Sequence, residues 1–156
     1  ENKGGFIYFP GKSMAEDVKG SNSGKTALRS YGSISYAGML SYAYAELPKT
    51  DPRVTAVRKW LTTNYTLKEN PGMGAQGLFY YYYLMTKALT FSGTDNLKLD
   101  DGKEVDWRKE VGLKLMKLQA QDGSWINKDS SRWWENEKPL VTAYALISLN
   151  YLHRGQ

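Results

Sequence analysis

The 156-residue chain has no cysteine and one histidine, His153, close to its C-terminus. Without cysteine, neither a disulfide framework nor a thiolate metal site can form. One imidazole builds a zinc site only with several carboxylate partners, so no metal and no cofactor is expected. The missing cysteine does not identify a compartment, since many secreted proteins also lack it. Long uncharged runs are lacking too. Residues 139–152 carry no charge, but the stretch falls short of the ~20 residues of a membrane span and includes Thr142, Ser148 and Asn150. No transmembrane segment is therefore expected. The start has neither an initiator Met nor a signal-peptide pattern, so Glu1 reads as a processed or incomplete beginning. A secreted or periplasmic protein whose signal was removed would begin this way, and the localisation stays open.

What is present is a globular composition of 41% hydrophobic and 24% charged residues, suited to one domain spanning residues 1–156. Twelve Tyr and five Trp supply large apolar areas for a core. The net charge of +5 is spread along the chain with acids between the basic residues. Nucleic-acid binders concentrate such charge in a stripe, so no nucleic-acid partner is expected.

Periodicity and breakers predict five helices, near residues 33–47, 51–64, 75–91, 107–121 and 139–153. The first, third and fifth have no continuous polar face. Ile34, Met39, Leu40 and Tyr42 fill the first, residues 78–85 (with four consecutive Tyr) the third, and Val141, Tyr144, Leu146 and Ile147 the fifth. A helix that is apolar all round is buried all round. The second and fourth are amphipathic. Val54, Val57 and Leu61 oppose Arg53, Arg58 and Lys59, and Trp107, Val111 and Leu115 oppose Lys109, Lys114 and Lys117. Asp51 and Asp106 stand at N-cap positions, and Pro52 follows in the first turn. The alternation predicts an all-α fold of helical hairpins in two layers, three inner helices and two outer ones, rather than a bundle of equal stripes.

The connections carry a recurring punctuation. The fourth helix runs into Gln119, then Asp122-Gly123-Ser124-Trp125, where Asp-Gly suits a tight turn. The Trp is then free to fold back, and the Gln amide to bond the turn. The opening Asn2-Lys3-Gly4-Gly5-Phe6 repeats the tail of that pattern. Asn70-Pro71-Gly72-Met73-Gly74 lies between, and the long polar stretch 11–30 accounts for the wider first interval. These motifs, with residues 30–33 and 141–146, resemble the QW-type repeats of the squalene-cyclase/prenyltransferase family, particularly bacterial members known only by that repeat. The resemblance covers nearly the whole chain. It implies an α/α toroid, here a partial one of about five helices, with Gly4, Gly5, Phe6, Gln119, Asp122, Gly123 and Trp125 as structural repeat residues. Complete toroids of that family hold about twice as many helices. The resemblance therefore implies a fragment of a longer chain, or a domain completed by a second copy.

Fold alone does not settle function. The Asp-x-Asp-Asp acid of squalene–hopene-type cyclases has its nearest counterpart in residues 97–102, which lack the first Asp; Asp100-Asp101-Gly102 reads as a surface turn. Zinc ligands of the prenyltransferase type and a thioester both need the missing Cys. What remains is an aromatic interior suited to flat, apolar or ring-containing ligands, together with Ser130-Ser131-Arg132-Trp133-Trp134-Glu135 before the fifth helix. In a toroid the N-termini of inner helices cluster at one end. Arg29, Tyr31, Ser35 and Tyr36 at the first helix, Gln76 and Tyr80 at the third, and Arg132, Trp133, Trp134 and Glu135 before the fifth form the candidate ligand site. Glu135 is a candidate general acid or base, Arg132 an anion-binding group, and Tyr31 or Tyr36 a proton donor. The alternative for Arg132 is an ion pair with Glu135. The expected function is a cyclase-like repeat domain that binds an apolar or ring-containing ligand or a protein partner, with no catalytic residue assigned. An isoprenoid cyclase whose acid lies outside this chain and a carbohydrate-active toroid are the alternatives. The latter is weakened by the lack of an obvious carboxylate pair.

Overall fold

The computed structural model describes residues 3–15 and 28–153, and helices dominate it. They are α1 (Gly32–Tyr44), α2 (Pro52–Thr63), α3 (Leu78–Phe91), α4 (Trp107–Leu118) and α5 (Lys138–His153). The two amphipathic helices begin where local side chains cap them. Asp51 accepts the Arg53 amide at 2.8 Å, and Asp106 accepts that of Lys109 at 3.0 Å. Each presents a three-residue apolar stripe to the core: Val54, Val57 and Leu61 from α2, and Trp107, Val111 and Leu115 from α4.

The central helix is α3, which packs against α1 on one side and α5 on the other; α2 lies on α1, and α4 on α5. α3 is buried almost throughout, Tyr80 and Phe91 being its exposed large side chains. Tyr81 and Tyr82 point into the core and donate to the Thr66 and Leu67 carbonyls at 2.9 and 2.7 Å. Two helices depart from the all-round burial expected of them. α5 buries only Val141, Ala145 and Ser148, and its outward Leu146 and Ile147 are 54% and 42% exposed. At the end of α1, Ser41 and Tyr44 are exposed. Among the described residues, no further helix covers these faces. Nor is any helix long and apolar enough to cross a membrane.

Helix ends also shift. α1 stops at Tyr44, short of residue 47, because Leu47 N–H bonds Tyr42 O and Glu46 N–H bonds Ala43 O, with Glu46 left-handed at φ 55°. This closure satisfies the last carbonyls. α3 closes identically with Gly93 (φ 57°) in the left-handed position. α3 begins at Leu78 rather than 75 because residues 70–77 form a turn closed by Asn70 N–H to Gly74 O at 2.8 Å. α4 ends at Leu118 because Gln119 is extended. A two-stranded antiparallel hairpin, β1 (Leu97–Lys98) and β2 (Glu104–Val105), escapes the sequence reading because each strand is two residues long. Asp100-Asp101-Gly102 forms its turn, where Asp100 bonds Lys59 at 2.6 Å.

The connection after α4 and the N-terminal segment are both closely packed. Gln119 donates to Gly123 O at 3.0 Å, and Asp122 accepts the Ser124 amide at 3.1 Å. The Trp125 ring folds into the core and donates to Leu115 O at 2.8 Å. At the other end the Phe6 ring lies on Gly38, where a Cβ would come within 2.6 Å of it, and meets Tyr42 edge-on at 5.6 Å. Gly5 abuts Trp60, and Gly4 abuts Ala56. Asn2 and residues 16–27 of the polar stretch lie outside the described residues.

A left-handed non-glycine residue costs roughly 1 kcal/mol or more. Glu46→Gly should therefore raise stability by about 1 kcal/mol in urea denaturation. Unchanged or reduced stability would show that Glu46 is not held left-handed in solution.

Candidate functional site

The segment leading into α5 is anchored by buried polar groups. Glu135 is 1% exposed, and its carboxylate accepts the Tyr80 amide at 2.8 Å and the Asn127 side-chain amide at 2.7 Å. Asn127 also donates to Ala75 O at 2.7 Å. Glu135 thus caps α3 from a distant loop and satisfies a first-turn N–H that has no partner within the helix. Burial pushes its carboxyl up, against the hydrogen bonds from Tyr80 and Asn127 that pull it down.

Between Asn127 and Glu135, a short 3-10 turn at Arg132–Trp134 places two consecutive Trp in left-handed conformation, at φ 57° and 59°. Such outliers cost of order 1–3 kcal/mol each and persist only where surrounding structure holds them. Here they lay the Trp133 ring on Gly77, where a Cβ would sit 3.1 Å from it.

Trp133 and Glu135 line a cavity of about 360 Å³ together with Tyr31, Ser33 and Ile34 of the α1 entry, Tyr80 of α3, Tyr144 of α5, and Tyr8 and Met14 of the N-terminal segment. Tyr144 stacks on Tyr83 at 5.8 Å and meets Tyr80 at 5.6 Å. Burial, reinforced by Tyr80 and Tyr8, pushes the Tyr31 hydroxyl up to about 12 against the opposing charge of Arg132. Burial likewise raises Tyr80 and Tyr144. These hydroxyls stay protonated near neutrality and offer donors and acceptors around apolar ring faces. Both oxygens of the Glu135 carboxylate are already engaged by the fold.

Arg29, Gln76 and Arg132 line an adjoining polar cavity of about 380 Å³ with Glu69 and Gly72. Arg132 bonds Gln76, not Glu135, and lies 4.5 Å over the Trp133 ring. Among the described residues, no group of three His, Asp or Glu is placed to hold a metal.

Three candidates lie elsewhere. Ser35 is buried, accepting the Phe6 amide at 2.9 Å and donating to Tyr31 O at 2.8 Å, and so ties the N-terminal segment to α1. Tyr36 is 1% exposed, packs at 5.7 Å from Tyr81 and belongs to the core. It lies five residues beyond Tyr31, which at ~100° per residue turns it roughly 140° away from the cavity side. Trp134 is 72% exposed and faces solvent. The sequence reading missed Tyr8, Glu69 and Tyr144. Tyr144 follows the α5 stripe Val141 and Ala145 so closely that it reads as core. Tyr8 carries no pattern beyond being aromatic.

Comparison with protein-family models, curated proteins and solved structures gave no match.

Because its folded-state value is raised, Glu135 stabilises most fully below the ordinary carboxyl range, near ~4.3, and loses that contribution as the pH rises through the raised value. Stability of the wild type relative to Glu135→Gln should therefore fall as the pH rises above the ordinary carboxyl value of ~4.3 in urea titrations. A difference that grows with pH would contradict the assignment. Glu135→Ala should cost about 1–3 kcal/mol by stranding its donors.

Proposed function

We propose that the chain is an open segment of an α/α toroid resembling the squalene-cyclase/prenyltransferase repeats, and that it binds an apolar, ring-containing ligand at the end where the inner helices begin. The arrangement of α1, α3 and α5 side by side, with α2 and α4 outside, supports the architecture. In this reading the exposed Leu146 and Ile147 mark the face on which a further layer would pack.

The single observation that carries the binding reading is the aromatic cavity between the helix starts. It opens at the surface and is walled by Tyr31, Tyr80, Trp133 and Tyr144. Its volume of about 360 Å³ lies within the range of small-molecule sites, ~300–1,000 Å³. Paying for two left-handed Trp residues is also understandable at a site that needs one of those rings in a defined place. The isoprenoid-cyclase and carbohydrate readings use the same walls and differ in what the cavity accepts.

The test is calorimetric titration with farnesol, 1-naphthylacetamide and cellohexaose. At least one of the first two should bind saturably, and Trp133→Ala or Tyr144→Ala should weaken it by about tenfold with helicity unchanged. Binding of cellohexaose alone would transfer the site to carbohydrate. No binding of any probe, or full affinity in both variants, would reject the proposal.

A further inference from the structure

The aromatic cavity continues into the polar one. Met14 lines both, and the boundary is the Arg132–Trp133 pair, with the ring in the first compartment and the guanidinium in the second. The guanidinium lies with its carbon 4.5 Å from the ring centroid, and its Nη1 donates to Gln76 Oε1. It therefore enters any encounter with its orientation already fixed. Arg29 lines the same compartment. Among the described residues, no carboxylate lies within ion-pair distance of either arginine. Among the described lining residues Glu69 is the opposing charge, leaving two cations to one anion. The field of Arg132 reaches Tyr31 in the aromatic compartment. A cationic ligand in the rings would meet that field unfavourably, and Glu135 has both carboxylate oxygens occupied.

Resting on the ring-binding reading above, we infer that the site takes an amphiphile with one anionic oxygen group, its ring body between Tyr31, Tyr80, Trp133 and Tyr144 and its carboxylate or phosphate on Arg132 and Arg29. A preorganised guanidinium offers paired N–H donors that match two oxygens of such a group. A neutral amide in the same place gains the ring contacts and forfeits the charge-assisted bonds. Glu69 sets a limit on the anion, favouring one small group over an extended polyanion.

Calorimetry with 1-naphthylacetate, 1-naphthyl phosphate and the neutral 1-naphthylacetamide tests this, the two anions separating carboxylate from phosphate. At least one anion should bind about tenfold more tightly than the amide, with the advantage shrinking at high salt. Arg132→Gln should abolish that advantage, costing the anions about tenfold more than it costs the amide, and Arg132→Lys should retain part of it. Equal binding of anions and amide by the wild type would overturn the anion subsite and leave ring binding standing. Equal loss of all three probes in Arg132→Gln would reduce Arg132 to a support for Trp133 and also overturn it. Failure of every probe to bind the wild type would end both readings.

Discussion

The beginnings of α1 and α3 are capped by side chains from distant loops, and this constraint organises the rest of the molecule. The first amides of a helix have no partner within it, and burying them bare costs about 1–3 kcal/mol each. For α1, the fully buried Asn70 accepts the Ser33 amide at 3.0 Å, and Pro71 O accepts that of Gly32 at 2.8 Å. For α3, Glu135 takes the Tyr80 amide. The cap of α1 comes from the connection that leads into α3, and the cap of α3 from the connection that leads into α5. α1, α3 and α5 are thereby fixed to one another at the end where the aromatic cavity opens.

The packing follows from this arrangement. With α3 held between its neighbours, its tyrosines must divide their directions. Tyr81 and Tyr82 enter the core and reach carbonyls of the connection after α2, while Tyr80 faces the cavity. Close approach is gained by removing side chains. Gly32 leaves room for Tyr81 and Pro71, and Gly38 for Phe6. The surface ion pairs contribute little beside this. Lys138 and Asp122 meet at 2.6 Å with both side chains half exposed, and such pairs are screened by water and salt.

What the sequence showed and what it hid divide along the line between local and distant partners. α2 and α4 start where expected because Asp51 and Asp106 cap their own helices. α1 starts within one residue of expectation although its cap stands 37 residues away, whereas the start of α3 is displaced to Leu78, where its cap stands 55 residues away. Glu135 is conspicuous in a loop, yet its structural role depends on α3 arriving above it. The apolar surround of α5 reads as burial, but residue type records what a helix can bury and not whether anything covers it. Of the candidate site residues, those at helix entries and in the turn, Tyr31, Tyr80, Trp133 and Glu135, share one cavity. Tyr36 lies in the core instead, since five residues at ~100° each turn it roughly 140° away from the direction of Tyr31.

Native-state hydrogen exchange of the Ser33 and Tyr80 amides tests the capping arrangement most directly. Both lie in the first turn of a helix, where amides ordinarily exchange quickly. If Asn70 and Glu135 hold them, both should exchange only through large-scale unfolding, as slowly as Met85 in the middle of α3. Exchange at the rate of frayed helix ends would show that α1, α3 and α5 are not tied together at the cavity, and the account built on that tie would fall.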